Sequence, residues 1–485
     1  MATIDELRKA RIEKLSKLKK LGIDPYPATV PRTDTISRAR QMIGSEAAIA
    51  GRIVGLRGHG KIYFLDIEDE SGTMQAVIKA DTCEKKAFSL VEHVDLGDFL
   101  ALEGKVDKTQ AGEISVFAKS LMLISKALRP LPGEFQGFKD KEERYRQRYV
   151  DLLVNKDIRE IFRTRTKIIQ ILRTFLDKHG FLEVETPVLQ PIYGGASAKP
   201  FVTHHNTLDT DFYLRISDEL YLKRLIVAGF EKVYEFGHDF RNEGMDRGHN
   251  PEFTMLEFYW AYADYETLMR FTEEMVVLLL RQIHKTVRIK YEVHALDFTA
   301  PWKRMTYREA VLEYSGIDID KADSEEGLRA AIGKRGIGID LTAAVGYGAV
   351  LDALYKQTTR PKLIGPLFLT QRPTAFVSLA KRMPQDPRYT ASFQLLVAGE
   401  ELVNAYNELN DPIDQANRWK ESEKLGKKGS AEHEAFDDDY IRALEYGMPP
   451  TAGWGMGIDR LVAVLTNQHS IKDVMLFPAL RPQKK

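Results

Sequence analysis

The chain predicts an α+β protein in two parts: a small β-barrel, then a larger domain on a mostly antiparallel β-sheet flanked by helices. Three features lead there. Short alternating segments broken by glycine fill residues 46–127. From Glu142 onward the pattern becomes an amphipathic helix and then strands close together in sequence, which suits antiparallel neighbours better than a doubly wound sheet. Between the two, Pro130, Pro132 and Gly133 mark a hinge over residues 128–141. The 485 residues leave room for sizeable cores in both parts.

Composition narrows the function classes. Basic and acidic residues balance at 70 each, so a nucleic-acid partner has to be met by local patches. The single cysteine, Cys83, excludes an internal disulfide and a multi-cysteine zinc site, and fits a reducing, cytoplasmic setting. The first residues are charged and lack an apolar core, so no secretory signal is expected. The densest apolar run, Met275–Leu280, is far too short to span a membrane, and no membrane partner is expected.

Residues 1–45 hold a basic helix and a lead-in. Thr3 and Glu6 have capping-box spacing, Ile4, Leu7, Leu15, Leu18 and Leu21 form an apolar stripe, and Gly22, Pro25 and Pro27 end the helix. Its other face carries Arg8, Lys9, Arg11, Lys14, Lys17, Lys19 and Lys20, which read either as a solvated surface or as a phosphate-contacting arm. Alternating segments at 48–56, 61–68, 73–79, 98–104 and 113–120 have the number and size of OB-fold strands, over a domain of residues 46–127. Phe64 and Gln75 fall on neighbouring strands, one able to stack on a base and the other to hydrogen-bond its edge. Taken alone, a barrel phenylalanine is more often core.

In the domain over residues 142–485, Ile161, Ile168, Leu172, Phe175 and Leu176 mark a helix that Gly180 stops, and Pro187 closes a strand at 181–185. Further strands are expected at 213–216, 366–369 and 393–408, the last broken near Gly399, with a helical insertion at about 308–360. Two aromatic-rich alternating runs, 232–243 and 252–262, flank a polar loop and read as a hairpin. Period two places Arg241 and Glu243 on one face of the first strand, and Phe253, Glu257 and Tyr259 on one face of the second. A guanidinium can grip a phosphate through its planar fork and a ring can stack on a base, so this is a candidate nucleotide site. Near the end of the chain, alternate glycines at 453, 455 and 457 clear one strand face and Arg460 opens the following helix. Asn404, Tyr406 and Glu408 share a strand face.

Taken in order, Gly180–Pro187, the hairpin with Phe240-Arg241-Asn242-Glu243 and His249-Asn250-Pro251-Glu252-Phe253, and Gly453–Leu461 resemble motifs 1, 2 and 3 of the class II aminoacyl-tRNA synthetases. With the barrel ahead of them, the likeness covers essentially the whole chain and narrows to the subgroup for lysine, aspartate and asparagine. The runs Arg215–Leu225 and Asn404–Pro412 look like the versions found in its lysyl members. Lysine carries two ammonium groups and one carboxylate, so its pocket needs more than one anion, and Glu219 and Glu408 are the candidates. An aspartate pocket would need a cation instead.

The resemblance implies ATP-dependent activation of L-lysine to lysyl-adenylate, then transfer to the 3′ end of tRNA(Lys). It implies a lysine site of Gly195, Glu219 (α-amino group), Tyr259, Asn404, Tyr406 and Glu408 (ε-amino group). It implies an ATP site of Arg241, Glu243, His249, Asn250, Phe253, Glu401 and Arg460, with Arg241 and Arg460 catalytic. Mg2+ is expected at Glu401, with Gln394 standing where a second carboxylate is usual. The anticodon is expected at Phe64 and Gln75, and a homodimer through motif 1. Strict alternation sets Glu401 opposite Asn404, so a bulge is required if both line one site. Gly248 stands where arginine is common, leaving Arg247 either to reach the γ-phosphate or to be solvated. An aspartyl or asparaginyl enzyme, a paralogue that lysylates protein, and a non-catalytic RNA-binding paralogue stay open as alternatives.

Overall fold

The structure is a computed structural model that describes residues 3–131, 140–342, 344–427 and 435–483. It divides into two compact units, Met1–Asp140 and Lys141–Lys485. Of the expected hinge, Pro132 and Gly133 lie outside the described residues.

In the first unit, α1 (Ile4–Lys20) starts at the capping box: the Glu6 amide donates to Thr3 Oγ1 at 3.2 Å and the Thr3 amide to Glu6 Oε2 at 2.7 Å. The apolar stripe buries less than its spacing promises. Leu18 is fully buried, but Ile4, Leu7 and Leu21 stay exposed. Arg11, expected on the basic face, is buried instead, donating to the carbonyls of Leu96, Ala127 and Arg129 at 3.0–3.1 Å. A guanidinium fork satisfies several carbonyls at once, which no apolar side chain can do. Lys14 is likewise spent within the unit, on Asp95 at 2.6 Å. Arg8, Lys9, Lys17, Lys19 and Lys20 remain exposed.

Five strands then close a barrel: β1 (Glu46–His59), β2 (Ile62–Asp69), β3 (Gly72–Lys79), β4 (Phe99–Lys108) and β5 (Ile114–Ser125), in the order β1-β2-β3-β5-β4. Pairing is antiparallel except between β3 and β5. Inward residues such as Ile49, Leu65, Ala76, Leu100 and Val116 form its core. Lys126 and Asp98, both fully buried, pair at 2.7 Å, and the amides of Asp95 and Ala127 also donate to Asp98. That burial is tolerable because each charge has partners.

In the second unit, two short helices, Lys141–Arg146 and Arg148–Val154, precede α2 (Lys156–Lys178), which ends ahead of Gly180 at φ +80°. It continues with β6 (Leu182–Glu183), α3 (Glu219–Val227), β7 (Lys232–Phe240), β8 (Glu252–Ala261), α4 (Tyr265–His284), β9 (Lys303–Thr306), β10 (Leu367–Thr370), β11 (Ser392–Val397), β12 (Glu400–Asn407), β13 (Thr451–Gly457) and α5 (Ile458–Leu465). One sheet runs β9-β10-β11-β12-β13-β8-β7-β6. Its inner pairings are antiparallel, and only the edge pairs β9–β10 and β7–β6 are parallel. One face packs on α2, α4 and α5, burying Phe175, Leu279, Val462, Phe258 and Trp454. The last two stack at 4.7 Å, and Trp454 Nε1 donates to buried Thr272 Oγ1 at 2.9 Å. Residues alternating with these core positions face the other side, which carries the pocket.

Three expectations change. The segment at 213–216 does not join the large sheet; Thr210–Leu214 pairs with Leu189–Gln190 and Val202–His205 in a separate three-stranded sheet. The strand at 181–185 shrinks to Leu182–Glu183. The first hairpin strand stops at Phe240, so Arg241 and Glu243 lie in the loop and not on a strand face. Phe240 pairs with Glu252, and the next partner would be Pro251, which has no N–H to extend the ladder. The bulge is present. Gln394 faces Asn404 and Leu395 faces Val403, but Leu396 faces Glu401, so Leu402 is the extra residue and Glu401 turns to the side of Asn404. The insertion forms helices Tyr307–Ser315, Glu325–Lys334 and Tyr347–Leu354 around their own core, with Leu328, Val350 and Leu351 packed beneath β10.

Candidate active site

A cavity of about 410 Å³ opens on the free face of the large sheet. Bare backbone makes room for it. A Cβ on Gly453 would overlap the Tyr259 ring and Glu408 Oε1, whereas one on Gly455 would rest at ordinary contact distance, 3.4 Å from Met255 Cε and 3.5 Å from Glu257 Cγ. Gly195, at φ +85°, also lines the cavity, and a Cβ there would stand 2.9 Å from Ser217 Oγ.

One end is cationic and aromatic. The Arg241 guanidinium lies 5.0 Å over the Phe253 ring and makes two long contacts, 3.4 Å, to the Ile216 carbonyl. Glu243 lines the same end and is exposed. His249 is oriented between two partners, Asp246 at 2.9 Å from Nδ1 and Arg460 Nη2 at 3.3 Å from Nε2. Partial burial works against the Asp246 carboxylate, but hydrogen bonds from His249 and the Gly248 amide prevail and hold it below the usual range. Arg460 also donates to the Glu401 carbonyl at 3.2 Å. Asn250 lines the cavity, but its amide staples the loop: Nδ2 donates to the Glu252 carbonyl and Oδ1 accepts from the Ala479 amide. Arg247 is the exposed side chain that one of its two expected roles describes. It pairs with Glu400 at 3.1 Å and lies 3.6 Å from Glu292. Gln394 Nε2 donates to Glu401 Oε2 at 2.6 Å, so a metal carried here would find one carboxylate already engaged by an amide.

The other end is anionic. Glu219 Oε1 accepts from Tyr406 O–H at 2.7 Å and from Lys223 Nζ at 2.5 Å. Lys223 also pairs with Glu408, and neither Lys223 nor Glu408 touches the cavity; both are buried behind it. Of the two acids expected in the lysine site, Glu219 lines the cavity directly and Glu408 stands behind it, and both pair with Lys223. Two carboxylates this close in a dry site cannot both stay ionised without a cation between them. Burial alone would discharge Lys223, but Glu219 and Glu408 reverse that and keep it protonated. Burial lifts Glu408 to about 8 against the pull of the same ammonium. Asn404 Oδ1 accepts from Arg372 Nη1 at 3.0 Å.

Sequence reasoning gave no role to three of these residues. Glu257 lines the cavity on the strand face of Phe253 and Tyr259, and accepts from Tyr259 O–H at 3.2 Å. Its position on that face was the available signal. Lys223 lies four residues after Glu219, the spacing of a helical ion pair. Arg372 stands in a connection between strands, where no periodicity points to it. In the barrel, Phe64 faces Val77 and Gln75 faces Asp66, both on the side away from core residues Leu65, Met74 and Ala76. Gln75 Oε1 accepts from Ser115 Oγ at 3.1 Å.

Behind Glu257 lies a second charge problem. Carboxylate oxygens of Asp218, Asp239 and Glu257 fall within 4.8 Å of one another, all buried, in the one grouping among the described residues with metal-ligand proximity. Arg215 meets part of that charge, pairing with Glu235 at 2.6 Å and Asp239 at 3.3 Å. Asp218 occupies the N-cap of α3 yet makes no capping bond, its side chain turned into the cluster. Burial, then the charge of Glu257, pushes the Asp218 carboxyl well above its usual value, and burial raises Glu257 to about 8.

Raised acid pKa values make stability fall with rising pH. Between the ordinary carboxylate value of the unfolded chain and about 8 for folded Glu257, the folded state holds protons that the unfolded chain releases. Asp218→Asn should therefore raise Tm at pH 8 and do so less at pH 5, as read by thermal unfolding at both values. An equal loss at both would contradict the shared-proton arrangement.

Comparison with known proteins gives a consistent result. The profile of tRNA synthetases class II (D, K and N) matches residues 140–481, and that of the OB-fold nucleic acid binding domain matches residues 47–124. The chain is 46% identical to a lysine–tRNA ligase of Moorella thermoacetica and to one of Carboxydothermus hydrogenoformans, covering 99% of this chain and 99% of each relative. A lysine–tRNA ligase of Porphyromonas gingivalis is also 46% identical, over 99% of this chain and 86% of that protein. With both profiles in their expected places and full-length relatives at this identity, the chain belongs to the class II aminoacyl-tRNA synthetases of the aspartate, lysine and asparagine group.

Proposed function

We propose that the protein is an ATP-dependent ligase that activates L-lysine and transfers it to tRNA(Lys). One observation carries the choice among the three amino acids: the substrate end of the cavity is walled or backed by Glu219, Glu257 and Glu408 with one ammonium, Lys223, among them. A dicationic substrate repairs that imbalance, and the side-chain carboxylate of aspartate would worsen it. The names of the relatives support the same reading.

ATP lies over the sheet with its adenine on Phe253 and its exocyclic amine toward Glu243. Arg241 meets the α-phosphate, where charge builds as the lysine carboxylate attacks. His249, aligned by Asp246, and Arg460 take the outer phosphates and the far side of the ring. The α-ammonium of lysine meets Glu219 and Glu257 beside Gly195, and its ε-ammonium approaches Glu408 across the bare face of Gly453, between Tyr259 and Tyr406. The carboxylate is already a nucleophile, so the residues act by alignment and by steadying charge on phosphorus. Mg2+ arriving with ATP would use Glu401 and the Gln394 amide oxygen beside the phosphates and supply charge neutralisation there. The ribose hydroxyl of the tRNA 3′ end then takes the lysyl group and AMP leaves. The barrel holds the anticodon through Phe64 and Gln75, and the exposed lysines of α1 add phosphate contacts.

The protein works as a homodimer in a cytoplasmic setting. Leu182, Val188, Leu189 and Ile192, in and just after motif 1, are all at least 40% exposed, an apolar run that a second copy would cover. No helix among the described residues is long and apolar enough to cross a membrane, and Cys83 is a free, buried thiol. Light scattering at micromolar concentration should give twice the chain mass; a monomer would remove the dimer.

The reaction is tested by amino-acid-dependent ATP–pyrophosphate exchange, which should proceed with lysine and not with aspartate or asparagine. Arg241→Ala should slow it about 10²–10³-fold, the usual cost of removing one preorganised donor to developing charge. Phe64→Ala should spare exchange while weakening tRNA charging. Exchange driven by aspartate, or an unchanged Arg241→Ala rate, would overturn these roles.

A further inference from the structure

Lys223 has no part in the reaction as drawn, yet it is fully buried at the centre of the substrate end. Its ammonium bridges Glu219 and Glu408 and lies 5.9 and 5.7 Å from the ring centroids of Tyr259 and Tyr406, which line the cavity. It therefore sits behind the two tyrosine rings that line the cavity. Tyr406 O–H donates to the same Glu219 oxygen, fixing that carboxylate from the cavity side.

We propose that Lys223 is a positioning residue that sets the specificity of the pocket, an internal counter-ion claiming one of three carboxylate charges and leaving two for the substrate's two ammonium groups. This rests on the lysine reading above and deepens it. With lysine bound, Glu219, Glu257 and Glu408 face the α-ammonium, the ε-ammonium and Lys223, and these three acids are matched one for one, apart from the Asp218, Asp239, Glu235 and Arg215 cluster behind Glu257. A substrate with a neutral side chain leaves one anion unmatched in a dry site, which is expensive. Lys223 also holds Glu219 and Glu408 in place while the cavity is empty, so binding need not reorganise them.

Charge counting gives an outcome that packing alone would not. Glu408→Gln removes an anion and leaves three cations against two carboxylates in the bound state. Adding Lys223→Met restores two against two. In ATP–pyrophosphate exchange with the full chain, Glu408→Gln should raise the lysine KM about 100-fold, and the double variant should recover about tenfold of that, with the ATP KM unmoved throughout. Breaking a buried pair can unfold a protein, so Tm is measured for each variant; if Lys223→Met alone does not fold, Glu408→Gln against the charge-matched double variant decides. A double variant whose lysine KM equals or exceeds that of Glu408→Gln overturns the proposal. Absence of lysine-dependent exchange in the unaltered protein overturns the lysine reading and this inference with it, whereas exchange without rescue overturns this inference alone.

Discussion

Buried negative charge governs this site. On the free face of the large sheet, Glu219, Glu257 and Glu408 are almost wholly removed from water, with Asp218, Asp239 and Glu235 packed behind Glu257. Lys223 and Arg215 pair with only part of that charge. Each unmatched carboxylate costs several kcal/mol after relaxation, or holds a proton to avoid the cost. On the proposed reading, the missing side chain at Gly453 and the two tyrosine hydroxyls are parts of one device that admits ammonium groups.

The opposite end of the cavity has the reverse sign. Arg241 and Arg460 approach it from different elements, a loop and a helix start, with His249 aligned between Asp246 and Arg460. Setting an anionic and a cationic end on one rigid sheet orients a substrate that is cationic at its amino groups and anionic at its carboxylate. On the proposed reading, the carboxylate is drawn to Arg241, the residue assigned to the phosphate it attacks. Rigidity comes from the far face, where Trp454 stacks on Phe258 and the alternation of core and cavity residues is enforced strand by strand. The Leu402 bulge breaks that alternation, and it turns Glu401 to the cavity side.

Much of this was legible in the sequence because sheets have period two. Phe253, Glu257 and Tyr259 were placed on one face by counting, and the need for a bulge between Glu401 and Asn404 followed from the same count. Counting failed where the ladder ended: Pro251 stops it, and Arg241 and Glu243 reach the cavity from a loop instead. It failed for α1 because helical spacing identifies a stripe and not what covers it, so Arg11 was given to the surface although three carbonyls hold it inside. Lys223 was invisible for a different reason. Its spacing from Glu219 was readable, but its second partner, Glu408, is far along the chain and meets it only after the sheet has formed. Arg372 and the Asp218 cluster are tertiary in the same sense.

The central claim is that an uncompensated buried anion selects the substrate's side-chain ammonium. Equilibrium binding of L-lysine and L-norleucine, which differ at that end by an ammonium group against a methyl, tests it without depending on chemistry or tRNA. Norleucine should bind about 10⁴-fold more weakly, the discrimination expected when a site built for a polar group is left unpaired. Comparable affinities for the two would show that the acids behind Tyr259 and Tyr406 are already satisfied by the protein itself, and would contradict it.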